Sequence, residues 1–150
     1  MPNNAPQYDT MTNDYLPTET DNETVLVAED DPNVAELIKM VLTANGYHAI
    51  CASDGFEALK LFTAGEHNFC VVLADLQLPG LNGLGLLRAV RMRDPNVAMV
   101  VASGRLEDET LDQLMAINVT AFLNKPFTIA QLLDTMTLVC GHRKDRVLAA

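Results

Sequence analysis

Three carboxylates, a hydroxyl and an ammonium close apolar runs along this chain, and together they make a set able to move a phosphoryl group. Glu29 and Asp30 follow "TVLVA", Asp75 follows "FCVVLA", Ser103 follows "VAMVVA" and Lys125 follows "AFLN". A carboxylate can accept a phosphoryl group covalently, which casts Asp75 as the nucleophile of an acyl phosphate. Glu29 and Asp30 suit Mg²⁺, a hard cation that takes a few carboxylate oxygens and completes its shell with waters and phosphate oxygens. The backbone carbonyl of Gln77, just beyond Asp75, is placed to add a further ligand. Lys125 would neutralise a second phosphoryl oxygen as a point charge, and Ser103 would donate a hydrogen bond to a third. Singly, each residue has an ordinary reading as a helix cap, a turn residue or a solvated surface group. Converging at one rim, three carboxylates would repel one another unless a cation sat among them.

That convergence follows from the elements the chain predicts. Strands are expected at 24–29, 47–51, 69–74, 97–102 and 120–123, and helices at about 32–45, 54–64, 83–93, 107–116 and 128–142. The first helix has Asp31 as N-cap, Pro32 at its first position and Asn45-Gly46 as its stop. Val34, Leu37, Ile38, Val41 and Leu42 fall on one face of it. The strands are apolar on both faces, so both faces must be covered, and strands that alternate with helices imply a parallel sheet. Right-handed crossovers then give a (βα)5 doubly wound α/β sandwich of three layers. In such a sheet ligands bind beyond the carboxyl ends of the strands, which is where the polar residues stand. Pro79-Gly80 and Gly83 shape a tight loop that keeps Asp75 accessible.

Composition narrows the class of function. The 150 residues carry a net charge of −10, and Asp9, Asp14, Glu19, Asp21 and Glu23 lie in a leading segment that has no Lys or Arg. Residues 1–23 also hold three prolines and no apolar period, so a disordered acidic tail is expected there. Such acidity disfavours direct binding to nucleic acid or to an anionic membrane, both of which need clustered cations. Arg143, Lys144 and Arg146 are read as cations closing a helix C-terminus. Cys51, Cys70 and Cys140 have neither zinc-motif spacing nor a disulfide pattern and are read as buried reduced thiols. With no secretory leader and no apolar run near 18 residues, a cytoplasmic protein is expected. The aromatic share is only 5 %, with no Trp, so the core must be aliphatic.

From Thr24 to Gly141 the chain resembles the receiver domain of two-component response regulators, on the segments "LVAEDDP", "LADLQLPGLNG", "VVASG" and "FLNKPF". The resemblance implies a flavodoxin-like sheet of order 2-1-3-4-5 and Asp75 as phosphoacceptor. It implies Glu29, Asp30, Asp75 and the Gln77 carbonyl as Mg²⁺ ligands, with Ser103 and Lys125 as phosphate binders. A cis Lys125-Pro126 bond is also implied. The family's switch aromatic falls on Phe122, which lacks the hydroxyl of the usual Tyr, and Asn118 stands where Gly usually precedes strand 5. Gln77 and Arg105 occupy positions that flank the attacking water, so they are expected to set the lifetime of the acyl phosphate. A receiver of this kind takes its phosphoryl group from a histidine kinase or a histidine phosphotransfer protein and acts on a protein target through the helix 4, strand 5, helix 5 face. Only "GHRKDRVLAA" follows helix 5, which suggests a chemotaxis-type single-domain regulator with domain limits 24–142 and an extension at 143–150. The alternative is a metal-dependent phosphatase of haloacid dehalogenase type, also an Asp-nucleophile α/β fold. That class carries a second Asp two residues after the nucleophile, where this chain has Gln77. Removing Glu29 or Asp30 is expected to relieve carboxylate repulsion and even to raise stability.

Overall fold

The computed structural model describes residues 23–149, with side chains to residue 140. The expected acidic tail lies outside the described residues, apart from Glu23. Five parallel strands, β1 (Thr24–Ala28), β2 (His48–Ala52), β3 (Phe69–Asp75), β4 (Ala98–Ser103) and β5 (Ala121–Asn124), form one sheet of order β2-β1-β3-β4-β5. The helices between and after them are α1 (Pro32–Ala44), α2 (Gly55–Thr63), α3 (Gly83–Arg93), α4 (Asp108–Ala116) and α5 (Ile129–Ala149). Strand and helix boundaries fall within a residue or two of the expected ones, with one exception. The last helix runs seven residues past the expected end, so the 142/143 limit falls inside α5. Gly141 alone is too weak a stop, because the Arg, Lys, Leu and Ala that follow are good helix formers.

Hydrophobic burial covers both faces of the sheet. On one side Val25, Val27, Val71 and Val100 pack against Ile38 and Leu42 of α1 and Leu132 and Met136 of α5. On the other, Leu26, Val72, Met99 and Val101 meet Leu86, Leu87 and Val90 of α3 and Leu114 of α4. Each fully buried Leu or Met is worth roughly 1.5–3 kcal/mol, so these two layers supply most of the drive to fold. Leu37 departs from the expected α1 stripe and is half exposed. The wide apolar arc of the helix turns only Ile38, Val41 and Leu42 fully inward. Cys51 is also only partly covered, whereas Cys70 and Cys140 are buried, and all three are free thiols.

Caps and staples hold the ends in place. Asp31 accepts from the Asn33 amide at 2.9 Å at the start of α1, as the sequence predicts. Thr128 and Gln131 form a reciprocal box at the start of α5, with the Thr128 amide donating to Gln131 Oε1 at 2.9 Å and the Gln131 amide donating to Thr128 Oγ1 at 3.0 Å. Asn118 takes φ 60°, a left-handed conformation that Asn tolerates better than other residues with a side chain, which is how it serves where the family usually has Gly. The Arg91 guanidinium on α3 donates to the carbonyls of Ile117, Asn118 and Val97 at 2.8–2.9 Å, tying α3 to the turn before β5 and to the entry of β4. β1 and β3 slip register between Thr24 and Val25, which leaves Cys70 as an extra residue between Phe69 and Val71.

Candidate functional site

The carboxyl ends of β1, β3 and β5 bring the predicted acids and lysine together. Glu29 stands one residue past β1, with its amide donating to the Ala52 carbonyl of β2 at 3.0 Å, and it is only 4 % exposed. Asp75 is the last residue of β3. The Lys125 ammonium donates to Glu29 Oε1 at 2.7 Å and to Asp75 Oδ2 at 2.8 Å, bridging the two. The remaining oxygens are held as well: Glu29 Oε2 accepts from the Asp31 amide at 3.1 Å and Asp75 Oδ1 from the Gln77 amide at 2.9 Å. Asp30 is exposed, yet a carboxylate oxygen from each of Glu29, Asp30 and Asp75 lies within 4.8 Å of the others. Burial works against the Lys125 charge, but its hydrogen bonds to Asp75 and Glu29 outweigh that and hold its pKa above the ordinary lysine value. The cation that three converging acids require is thus supplied in part by the chain itself. The sequence placed Lys125 at the rim but held no sign that it pairs with Glu29, ninety-six positions away.

The backbone explains why these groups hold still. The Lys125 amide donates to the Ser103 carbonyl at 2.9 Å, and the Lys125-Pro126 peptide is cis. The loop after β3 folds back on itself, with the Gly83 amide donating to the Leu76 carbonyl at 2.9 Å. A Cβ on Gly83 would lie 2.3 Å from the Asp75 carbonyl oxygen, so only glycine permits this approach. Asn82 starts α3 by accepting from the Gly85 amide at 2.8 Å.

Ser103, Gln77 and Arg105 line a neighbouring cavity of about 370 Å³ together with Asn82, Glu107 and Thr110. The Ser103 hydroxyl donates to the Arg105 carbonyl at 2.9 Å and accepts from the Arg105 amide at 3.3 Å. Phe122 lies on β5 opposite Val101 and is 36 % exposed. Sequence reading missed Asn82, Glu107 and Thr110 as cavity residues; the one signal available was at Asn82, a cap-forming residue type directly before the helix expected from Gly83. The Arg143, Lys144 and Arg146 side chains lie outside the described residues. Among the described residues no helix is long and apolar enough to cross a membrane.

A doubly wound sheet with acids, hydroxyl and lysine at its strand ends fits a receiver-type signalling domain, and comparison with known proteins agrees. The chain belongs to the response regulator receiver domain family, whose sequence model matches residues 25–137. It is 32 % identical over 111 residues to the uncharacterized transcriptional regulatory protein YkoG of Bacillus subtilis, covering 73 % of this chain and 47 % of that protein. It is 24 % identical to sporulation initiation phosphotransferase F of the same organism, covering 77 % of this chain and 91 % of the relative. The chemotaxis protein CheY4 of Vibrio cholerae superposes with a TM-score of 0.73 at 28 % identity, over 79 % of this chain and 98 % of that one. The chain thus spans about half the length of the transcriptional regulators it matches. These likenesses support the receiver reading and lend nothing to the haloacid dehalogenase alternative.

Proposed function

We propose that the chain accepts a phosphoryl group on Asp75 from a phosphohistidine of a histidine kinase or histidine phosphotransfer protein, and that the modification biases a protein-binding face. The observation that carries this reading is the Lys125 ammonium bridging Glu29 and Asp75 at the strand ends, with Asp30 beside them. The donor set is all oxygen and includes three carboxylates, which fits Mg²⁺; Glu29, Asp30, Asp75 and the Gln77 carbonyl would hold it. Bound there, the ion would neutralise charge on the phosphoryl oxygens.

The residues themselves divide the work. Asp75 forms the new O–P bond as the P–N bond to the donor imidazole breaks, and the released imidazole takes up a proton from solvent. Lys125 is already within hydrogen-bond reach of Asp75 and shifts its ammonium from the carboxylate to the incoming phosphoryl oxygen. The Ser103 donor is spent on the Arg105 carbonyl and must turn to the phosphoryl group, which releases the turn leading into α4. That release couples Asp75 to the face made by α4, β5 and α5, where Phe122 is free to change rotamer. Gln77 and Arg105, on the cavity wall, govern the access of water and hence autodephosphorylation. The receiver unit is taken as beginning at Thr24, acting in the cytoplasm and without direct contact to nucleic acid.

Intact-mass measurement after incubation with acetyl phosphate and Mg²⁺ tests the assignment. One phosphoryl adduct is expected in the unmodified sequence, none in Asp75→Asn, and a longer or shorter adduct lifetime at equal yield in Arg105→Ala and Gln77→Ala. An undiminished adduct in Asp75→Asn would overturn it.

A further inference from the structure

The opposite end of the sheet carries a second polar cluster that the phosphoacceptor site does not use. Cys70, the extra residue at the register slip of β3, and Cys140 of α5 are 5 % and 4 % exposed, and Glu23 immediately before β1 is partly exposed. One sulfur from each cysteine and a carboxylate oxygen of Glu23 lie within 4.8 Å of one another. Cys70 Sγ donates to the Thr24 carbonyl at 3.4 Å. The Tyr47 hydroxyl meets Cys140 and Thr137. Beside a layer otherwise built mainly of aliphatic side chains, five polar side chains thus gather at one place.

We propose that Glu23, Cys70 and Cys140 form a binding site for a thiophilic divalent cation of the Zn²⁺ class. Two sulfurs and one carboxylate oxygen are a borderline-soft donor set, unsuited to Mg²⁺ and suited to Zn²⁺, which favours four ligands at tetrahedral angles. The three protein ligands leave one position on the partly exposed Glu23 side for water. Binding forms two Zn–S bonds and one Zn–O bond and releases the two thiol protons to solvent. Cys70 and Asp75 are five residues apart on β3, roughly 16 Å at strand rise, so this site and the acidic rim bind independently. Occupation would pin the Cys140 turn of α5 to the entries of β1 and β3.

Cobalt substitution of the full chain reads the ligands directly. One equivalent of Co²⁺ is expected to give thiolate-to-metal charge-transfer bands and the strong visible bands of a tetrahedral ion, with release of two protons. Zn²⁺ is expected to displace the cobalt and to protect Cys70 and Cys140 from alkylation, as mapped by mass spectrometry. Cys70→Ser and Cys140→Ser should each weaken binding by more than the roughly 10–100-fold that loss of an outer-shell partner costs. Glu23→Gln, which leaves both thiols and the core untouched, should weaken it too, whereas Cys51→Ser and Asp75→Asn should not. Only octahedral, oxygen-bound cobalt that vanishes in Asp75→Asn would overturn the proposal. So would unchanged alkylation of Cys70 and Cys140 under Zn²⁺, or their ready conversion by diamide to a disulfide without any metal protection, which would make them a dithiol pair instead.

Discussion

Lys125 is the residue on which the acidic rim depends before any ligand arrives. Glu29 is almost fully buried and has this ammonium as its charge partner, so truncating Lys125 leaves two carboxylates facing each other in a partly dry site. Lys125 is itself a quarter exposed, which discounts the loss for solvent screening to roughly 1–2 kcal/mol. Lys125→Met should therefore melt lower than the unmodified chain in EDTA and regain more stability from Mg²⁺; equal Mg²⁺ responses in calorimetry would contradict the bridging role. The same pairing separates the two acids. Asp30→Asn removes an exposed repelling charge and should be neutral or slightly stabilising, while Glu29→Gln removes half of a buried pair and should destabilise. With Glu29 paired and buried, the relief expected from sequence for either acid is now expected of Asp30 alone, and thermal melting of the two variants measures the difference.

At the scale of elements, the acceptor loop and the β4–α4 turn have different tolerances. Gly83 sits against the Asp75 and Leu76 backbone, and a methyl group there meets main-chain atoms that cannot step aside. Gly83→Ala should displace the loop, cost about 1–3 kcal/mol by overpacking and cut the phosphorylation yield more than its effect on melting suggests. A variant with native melting and native yield would show that the loop relaxes freely. The Ser103 turn, by contrast, is held by two side-chain hydrogen bonds worth about 1 kcal/mol each. Phe122 gains only part of the roughly 1.5–3 kcal/mol of full burial on turning inward, and every 1.4 kcal/mol shifts a population about tenfold. Unphosphorylated protein should thus sample both states, with relaxation-dispersion NMR exchange at Ser103 and Phe122 that beryllofluoride suppresses. A single rigid state in both conditions would refute the graded switch.

For the whole molecule, alkaline pH is the expected weak flank. Burial, then the neighbouring Cys140, pushes the Tyr47 phenol from 10.0 up to about 12, and Lys125 is raised above 10.5 by its carboxylate partners despite burial. In both cases the folded state holds a proton that the unfolded chain releases sooner. The stability they contribute is full below about pH 10 and is lost as pH climbs through the folded values. Urea denaturation between about pH 9 and about 11.5 should show falling stability, with a shallower fall in Tyr47→Phe; a flat profile would mean that neither group is so held.

Order and type of the elements, and the list of residues at the rim, were legible in the sequence because each is a local property. Two-sided apolar strands, the Asp31-Pro32 start, the Asn45-Gly46 stop and Asp75 ending a buried run all lie within a few positions of the feature they signal. Helix length failed at α5 for a local reason too, since nothing after Gly141 disfavours helix strongly enough to end it. What required the tertiary structure were the pairings across long separations. Lys125 reaches Glu29 because β5 and β1 deliver both to the same sheet end, and Gly83 is obligatory because the loop returns onto Asp75. Cys70 meets Cys140 and Glu23 because a one-residue slip between β1 and β3 coincides with the middle turn of α5 that carries Cys140. Residue types name the chemistry available to a chain, but distances of 3 to 5 Å between remote positions are set by sheet register and crossover packing, which no short window of sequence encodes.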